Sequence, residues 1–249
     1  MNTGLSNQFP LQILLMILNW RIAINNFTEV PASKRSFSHR KLIYGIGIND
    51  ADYVVQPILS GKRHRCPYYI AWSNMISRSY SERTQALHPT YIGCSVTKEW
   101  LTFSVFKEWM KTQDWEGKEL DKDLLMPGNK IYEPSACMFV SSQINSLLTD
   151  SAASRGGHPQ GVCFNKEKGK CQSYCRANGK ANHLGYFNTA LEAEYTYLVF
   201  KSDLINRTAS DGEAENNPKL KSALINHAKI FEDKSKDIKC ILMNNQEGV

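Results

Sequence analysis

Residues 161–200 read GVCFNKEKGKCQSYCRANGKANHLGYFNTALEAEYTYLVF. Three segments in this stretch, 161–165, 170–176 and 182–187, have strand character. They are separated by Lys168-Gly169 and Asn178-Gly179, dipeptides suited to tight hairpin turns. Thr189 then opens an apolar helical run lasting to about Leu204. The pattern predicts a three-stranded antiparallel sheet followed by one helix. Alternate residues of a strand share a face, so Lys170, Gln172, Tyr174 and Arg176 project together and Cys171, Ser173 and Cys175 project oppositely. The first face is rich in donors. Lys and Arg neutralise phosphates and read guanine edges, and Gln can address adenine, each good bidentate pair giving roughly 1–3 kcal/mol of discrimination. A solvated sheet face with no ligand is the competing reading.

Upstream, the glycine-rich joint SAASRGGHPQG (151–161) separates this pattern from residues 117–150, GKELDKDLLMPGNKIYEPSACMFVSSQINSLLTD. Here the expectation is a strand around Leu120–Leu125, a Pro-Gly-Asn turn, a second strand near Cys137–Val140, and a helix from Gln143 to Leu148 capped by Ser141 or Ser142. Further back, Tyr69, Trp72, Met75 and Ile76, and then Phe103, Phe106, Trp109 and Met110, recur at helical spacing and are read as core. Between them TYIGCSVTKEWLTF (90–103) reads as a short strand followed by Ser or Thr capping of the second helix. Gly45-Ile46-Gly47 lacks the third glycine of a dinucleotide fingerprint and reads as a turn. Downstream, TASDGEAENNP (208–218) is a polar linker, and Leu220, Ala223, Leu224, His227, Ile230 and Phe231 form a stripe expected to dock on the body.

The chain has 249 residues, 42% of them apolar and 22% charged, enough to bury a core and to exclude a collagen-like or wholly disordered polymer. A formal charge of +6 favours an anionic partner such as nucleic acid. The seven cysteines contain no CxxC pair, announce neither a disulfide framework nor a zinc ribbon, and fit a reducing, cytoplasmic compartment. The most apolar stretch, Leu11–Leu18, falls far short of the roughly 20 residues that cross a bilayer, so no membrane partner is expected. It lacks the flanks of a secretory signal, and the N-x-T matches at Asn26 and Asn206 are read as chance.

The 161–208 segment resembles the AP2 DNA-binding domain in its phage and homing-endonuclease form. The resemblance rests on Gly161-Val162, Gly169-Lys170, the block His183-Leu184-Gly185-Tyr186-Phe187, Thr189, Glu192-Ala193 and Tyr197. It implies a sheet face lying in the major groove of double-stranded DNA, with contacts on Lys168, Lys170, Gln172, Tyr174, Arg176 and His183. Where the family usually has aromatics, this chain has Cys171 and His183.

The 66–148 segment resembles the HNH homing endonucleases of phages and introns, which carry a ββα-metal motif. CPYYIAW (66–72), TYIGCSVTKEWLTFSVFKEW (90–109) and above all LDKDLLMPGNKIYEPSACMFVSSQIN (120–145) carry the likeness. The resemblance implies one Mg²⁺ or Mn²⁺ ion held by Asp121 and Asn145. The family's general-base His is replaced by Lys122, and none of the six His lies within 117–150. A Lys flanked by Asp121 and Asp123 suits clamping a phosphate or transition-state charge better than proton abstraction. Asn129 either orders the loop or touches DNA. Some members of the group hold a structural zinc, to which Cys66, Cys94 and Cys137 could contribute here, although scattered buried thiols are the favoured account.

The expected organisation is α+β: an extension (1–40), an HNH-like module (41–150), an AP2-like module (158–208), and a linker with a C-terminal helix (209–249). The expected function is metal-dependent nicking or cleavage of DNA. The alternative is a DNA-binding, regulatory protein without catalysis.

Overall fold

The computed structural model describes residues 27–149, 157–177 and 179–247. The apolar stretch Leu11–Leu18, most of the 151–161 joint and Asn178 lie outside them. Two compact units divide at Glu116/Gly117, and each mixes helices with small sheets, so the chain is α+β. Among the described residues no helix is long and apolar enough to cross a membrane.

Unit 1 contains the short helix α1 (Lys34–Ser38), the hairpin β1 (Ile58–Leu59) and β2 (Lys62–Arg63), helices α2 (Pro67–Tyr80) and α3 (Glu82–Leu87), strand β3 (Ser95–Val96) and helix α4 (Phe103–Lys111). Its core is aromatic, as the spacing requires. Tyr69, Trp72, Met75 and Ile76 of α2 are buried together with Phe103, Phe106 and Met110 of α4. Trp72 and Phe103 approach with ring centroids 5.6 Å apart, and Trp100 packs on Trp109 at 4.4 Å. Trp72 Nε1 donates to the Trp100 carbonyl at 2.8 Å, meeting the requirement that a buried indole N–H find an acceptor. Gly45-Ile46-Gly47 is a turn, closed by reciprocal backbone hydrogen bonds between Ile43 and Gly47.

The cap of α4 differs from expectation. Thr102 occupies the N-cap position without a side-chain capping bond. Asp50 serves instead, its carboxylate accepting from the backbone N–H of Ser104 at 2.9 Å and from the Ser104 hydroxyl. A remote carboxylate outcompetes the local hydroxyl because a charged acceptor at a helix N-terminus also complements the helix dipole.

Unit 2 begins with β4 (Glu119–Asp121), β5 (Ile131–Tyr132), β6 (Met138–Val140) and α5 (Ser142–Leu148). β4 pairs antiparallel with β6, Leu120 facing Phe139 and Asp121 facing Met138. The first strand is shorter than the expected Leu120–Leu125. Asp121 Oδ1 accepts from the backbone of Asp123 and Leu124 at 2.9 and 2.7 Å, and that turn ends the strand. Ser141 caps α5, accepting from the Ile144 amide. The sheet β7 (Val162–Asn165), β8 (Lys170–Ala177) and β9 (Lys180–Phe187) follows in that spatial order. Helix α6 (Ala190–Ala209) opens with a Thr189/Glu192 capping box. The 208–218 stretch is a tight connection: Glu213 pairs with Lys118 at 2.7 Å and accepts from the Ser141 amide. Helix α7 (Pro218–Glu247) returns antiparallel to α6, Ser202 donating to the Ala228 carbonyl at 2.9 Å.

One core gathers Leu124, Met138, Val140, Ile144 and Leu147 with Ile205 and Ala209 of α6 and Leu220, Ala223, Leu224 and Ala228 of α7. The C-terminal stripe thus docks on the body as expected. The sheet buries Val162, Cys171 and Cys175 against Ala193, Tyr197 and Leu198 of α6.

Gly161 makes this closure possible. Its φ is +75°, and a Cβ placed there would lie 2.0 Å from the Tyr197 ring, an impossible approach. Its carbonyl also accepts from the Tyr174 amide at 2.8 Å. Gly161→Ala is therefore expected to cost at least about 2–3 kcal/mol, combining left-handed strain with displacement of a packed ring. Urea titration of the variant beside Gly157→Ala, where a Cβ meets nothing within 4 Å, measures the difference.

Candidate functional site

The sheet β7–β9 presents two chemically different faces. Along β8, Cys171, Ser173 and Cys175 are buried beneath the sheet, whereas Lys170 and Arg176 are exposed and Gln172 and Tyr174 half-buried on the opposite side. Burial pushes the Cys175 thiol above its usual range, so it behaves as an apolar residue. Residues 161–187 carry Lys166, Lys168, Lys170, Arg176 and Lys180 against a single carboxylate, Glu167, so the strands and their turns are strongly cationic.

A bulge in β9 determines what joins this face. The ladder runs Gln172↔Tyr186 and Ser173↔Gly185, then resumes at Tyr174↔His183, skipping Leu184. The extra residue reverses the alternation of β9, so Tyr186 and His183 both lie on the polar side while Leu184 packs with Tyr197 and Leu198. Gly185 permits the bulge with φ +143° and leaves room for the Phe187 ring, which a Cβ would approach to 3.0 Å.

The exposed groups form a connected row. Gln172 Nε2 lies 3.2 Å from His183 Nδ1, the His183 and Tyr186 rings are 4.6 Å apart, and the Lys168 ammonium sits 4.2 Å over Tyr186. The structure therefore brings Gln172 and His183 together directly, links Lys168 to them through Tyr186, and carries Lys170, Tyr174 and Arg176 on the same strand face. Tyr186 belongs to this row and is not among the DNA contacts expected from sequence. Strict alternation back from Phe187 puts Tyr186, Leu184 and Asn182 on one side, so only a bulge signalled by Gly185 would have grouped Tyr186 with His183.

The second region is the outward face of β4 beside α5. Glu119 and Asp121 share this face, while Leu120 points into the core. The Asn145 carboxamide of α5 donates to the Glu119 carboxylate. Asp121 stands two residues further along the strand, about 6.6 Å from Glu119 between Cα atoms. Asn145 thus reaches the strand face that carries Asp121, through Glu119. Glu119 was missed in the sequence because the strand was taken to start at Leu120. Beginning it one residue earlier makes Glu119 the alternate partner of Asp121.

Burial, together with the neighbouring Asp123 charge, raises the Asp121 carboxyl above the ordinary range, opposed by its two backbone hydrogen bonds. Lys122 is buried, with its ammonium 3.1 Å from the half-exposed Asp123 carboxylate. Asn129 orders the loop: its amide donates to the carbonyls of Lys122 and Ile131 at 2.8 and 2.7 Å and accepts from the Ile131 amide. Cys66, Cys94 and Cys137 are buried and form no disulfide. Cys66 lies 3.3 Å from the Tyr53 hydroxyl, and burial pushes the Cys137 thiol up to about 12. Among the described residues no group of three or more His, Cys, Asp or Glu side chains gathers as a metal cluster.

No family model, no curated protein and no solved structure matches the chain.

The raised Asp121 carboxyl gives a signed stability prediction for the metal-free protein. With its folded-state pKa above the unfolded value of about 3.9, stability falls as pH rises through the window between the two, and the ionised form is the costly one at neutral pH. Asp121→Asn keeps an oxygen for the turn amides and removes the charge. In EDTA at pH 7 the variant should melt roughly 2–4 °C higher, a shift of about 1 kcal/mol. The advantage should vanish as the pH falls to about 4. A lower melting temperature at neutral pH would show that the carboxylate is stabilising.

Proposed function

We propose that the chain is a phage-type DNA endonuclease, similar to HNH homing enzymes, targeted to double-stranded DNA by an AP2-like sheet. The observation that supports this most strongly is the segregated face of β7–β9. Lys168, Lys170 and Arg176 surround Gln172, Tyr174 and His183 on one side, and the buried Cys171, Ser173 and Cys175 of β8 lie on the other. Cationic side chains neutralise phosphates, amide groups address base edges, and rings stack, which together are the requirements of a groove-reading surface.

Catalysis belongs to the β4–α5 face in this reading. Glu119, Asp121 and Asn145 offer hard oxygen donors of the kind that suit Mg²⁺ or Mn²⁺. Such an ion, when bound, supplies Lewis-acid stabilisation of the phosphodiester. Lys122 adds positive charge next to Asp121, and Asn129 fixes the loop that follows it. The β4–α5 element and the sheet both pack on α6, so two weak DNA-binding surfaces held on one helix reinforce each other through effective concentration.

The second reading, a DNA-binding regulatory protein without catalysis, is favoured by a specific observation. No histidine lies in 117–150, and Asp121 Oδ1 and the Asn145 amide are already engaged within the protein.

Two measurements separate the readings. On supercoiled plasmid with Mn²⁺, the wild type should nick DNA, EDTA should abolish the activity, and Asp121→Ala and Glu119→Ala should each lower it by about 100-fold or more. Nicking that survives both substitutions removes the site, and no nicking by wild type hands the case to the regulatory reading. Independently, Lys170→Ala and Arg176→Ala should each weaken duplex binding and flatten the log K against log salt slope by about 0.9 for every phosphate no longer neutralised. Wild-type binding by both variants across salt would show that DNA does not use this face.

A further inference from the structure

We propose that Gln172 is the base-reading residue of the sheet, that it selects adenine, and that His183 acts on it as a positioning residue rather than by touching DNA itself. The inference rests on the DNA-binding reading of this face and assigns distinct tasks to residues that the sequence left as one group.

The first argument is spatial. Lys170 and Arg176 stand six residues apart on β8, which at about 3.3 Å per residue separates them by about 20 Å. The major groove is about 12 Å wide. In a strand laid across the groove, cations spaced more widely than the groove meet the phosphate walls and leave the middle of the strand over the bases. Gln172 and Tyr174 are the outward residues in that middle, and Gln172 carries the amide.

The second argument is the hydrogen bond to His183. The Gln172 amide nitrogen lies 3.2 Å from His183 Nδ1, and we assign the ring the tautomer that accepts at Nδ1 and carries its proton on Nε2. In that tautomer only one orientation of the amide is favourable, because the flipped form would oppose Oε1 to the ring lone pair. Gln172 is thereby left with an acceptor, Oε1, beside its second N–H donor. Adenine presents the complementary pair in the major groove, an N6 amino donor and an N7 acceptor, whereas guanine presents two acceptors. The imidazole is itself held by Tyr186, its ring 4.6 Å away, and Tyr186 is covered by the Lys168 ammonium. The amide is therefore ordered before DNA arrives, and its orientation discriminates between the purines.

The bulge gives the pairing its structural cause. An unbulged β9 would put Leu184 where His183 now stands and leave the Gln172 amide free to rotate.

The test uses the full-length protein and a randomised duplex library, with the enriched position weights read out for wild type, Gln172→Ala and His183→Ala, each checked for folding by circular dichroism. Wild type should enrich one adenine position over guanine by roughly 5–150-fold. Gln172→Ala should lose the preference at that position alone, and His183→Ala should blur adenine against guanine there without changing the salt slope. Replacing the selected adenine by 7-deazaadenine, which lacks N7, should weaken wild type and leave Gln172→Ala unaffected. Adenine preference retained in Gln172→Ala, or discrimination unchanged in His183→Ala, overturns the assignment while DNA binding by the face stands. Duplex binding by wild type with no enriched position overturns the assignment alone, and no duplex binding at all overturns the DNA-binding reading, and the assignment with it.

Discussion

Helix α6 is buried against three different partners along its length, and the second unit depends on that burial. Its first turns cover the underside of the sheet through Ala193, Tyr197 and Leu198, its last turns enter the core that holds Ile144 and Leu147, and α7 lies along it with Leu220, Leu224 and Ala228. A hairpin or a lone sheet of this size is marginal in water, as is a helix of the length of α5. Each becomes stable because one long amphipathic element supplies the apolar surface all of them lack. From Ala193 to Ile205 is twelve residues, on the order of 18 Å at the helical rise, so the sheet and the β4–α5 element are held at a fixed spacing.

The same constraint explains the polar features at the joints. Glu213, between α6 and α7, pairs with Lys118 just before β4 and accepts from the Ser141 amide that opens α5. His227 of α7 meets the Leu124 carbonyl at 3.0 Å, in the turn that Asp121 closes. Both interactions join the acidic strand face to elements about a hundred residues distant in sequence. They place Asp121 in a half-buried setting that raises its carboxyl, an arrangement more costly for folding than a solvated aspartate. A carboxylate kept at that cost on a strand edge is the kind of feature that functional sites display and stability alone does not require.

Much of the second unit was legible locally. The turns Lys168-Gly169 and Asn178-Gly179, the strand alternation around Gln172 and the Thr189/Glu192 cap are short-range signals, and the strands and helix formed within a few residues of where those signals put them. The aromatic core of the first unit was equally legible, since Trp72 and Phe103 can be buried at helical spacing only if both helices face one another. The residues that misled did so for non-local reasons. Asp50 caps α4 from more than fifty positions away, and Asp121 ends a strand by turning back on its own amides. The bulge that sets His183 on the same face as Tyr186 is likewise a property of the pairing, not of the strand alone.

The amino-acid sequence by itself determined the two faces of the sheet, the helical periods, the caps made by near neighbours and the choice of chemistry-bearing side chains. All of these follow from backbone preference and from which side chains tolerate water. Tertiary structure alone decided that Glu119 meets Asn145, that His183 orients Gln172, and that α6 and α7 build one core with the strands of 117–148. Those outcomes depend on packing between distant segments, where buried area and close fit select one arrangement among the many that local preference would allow.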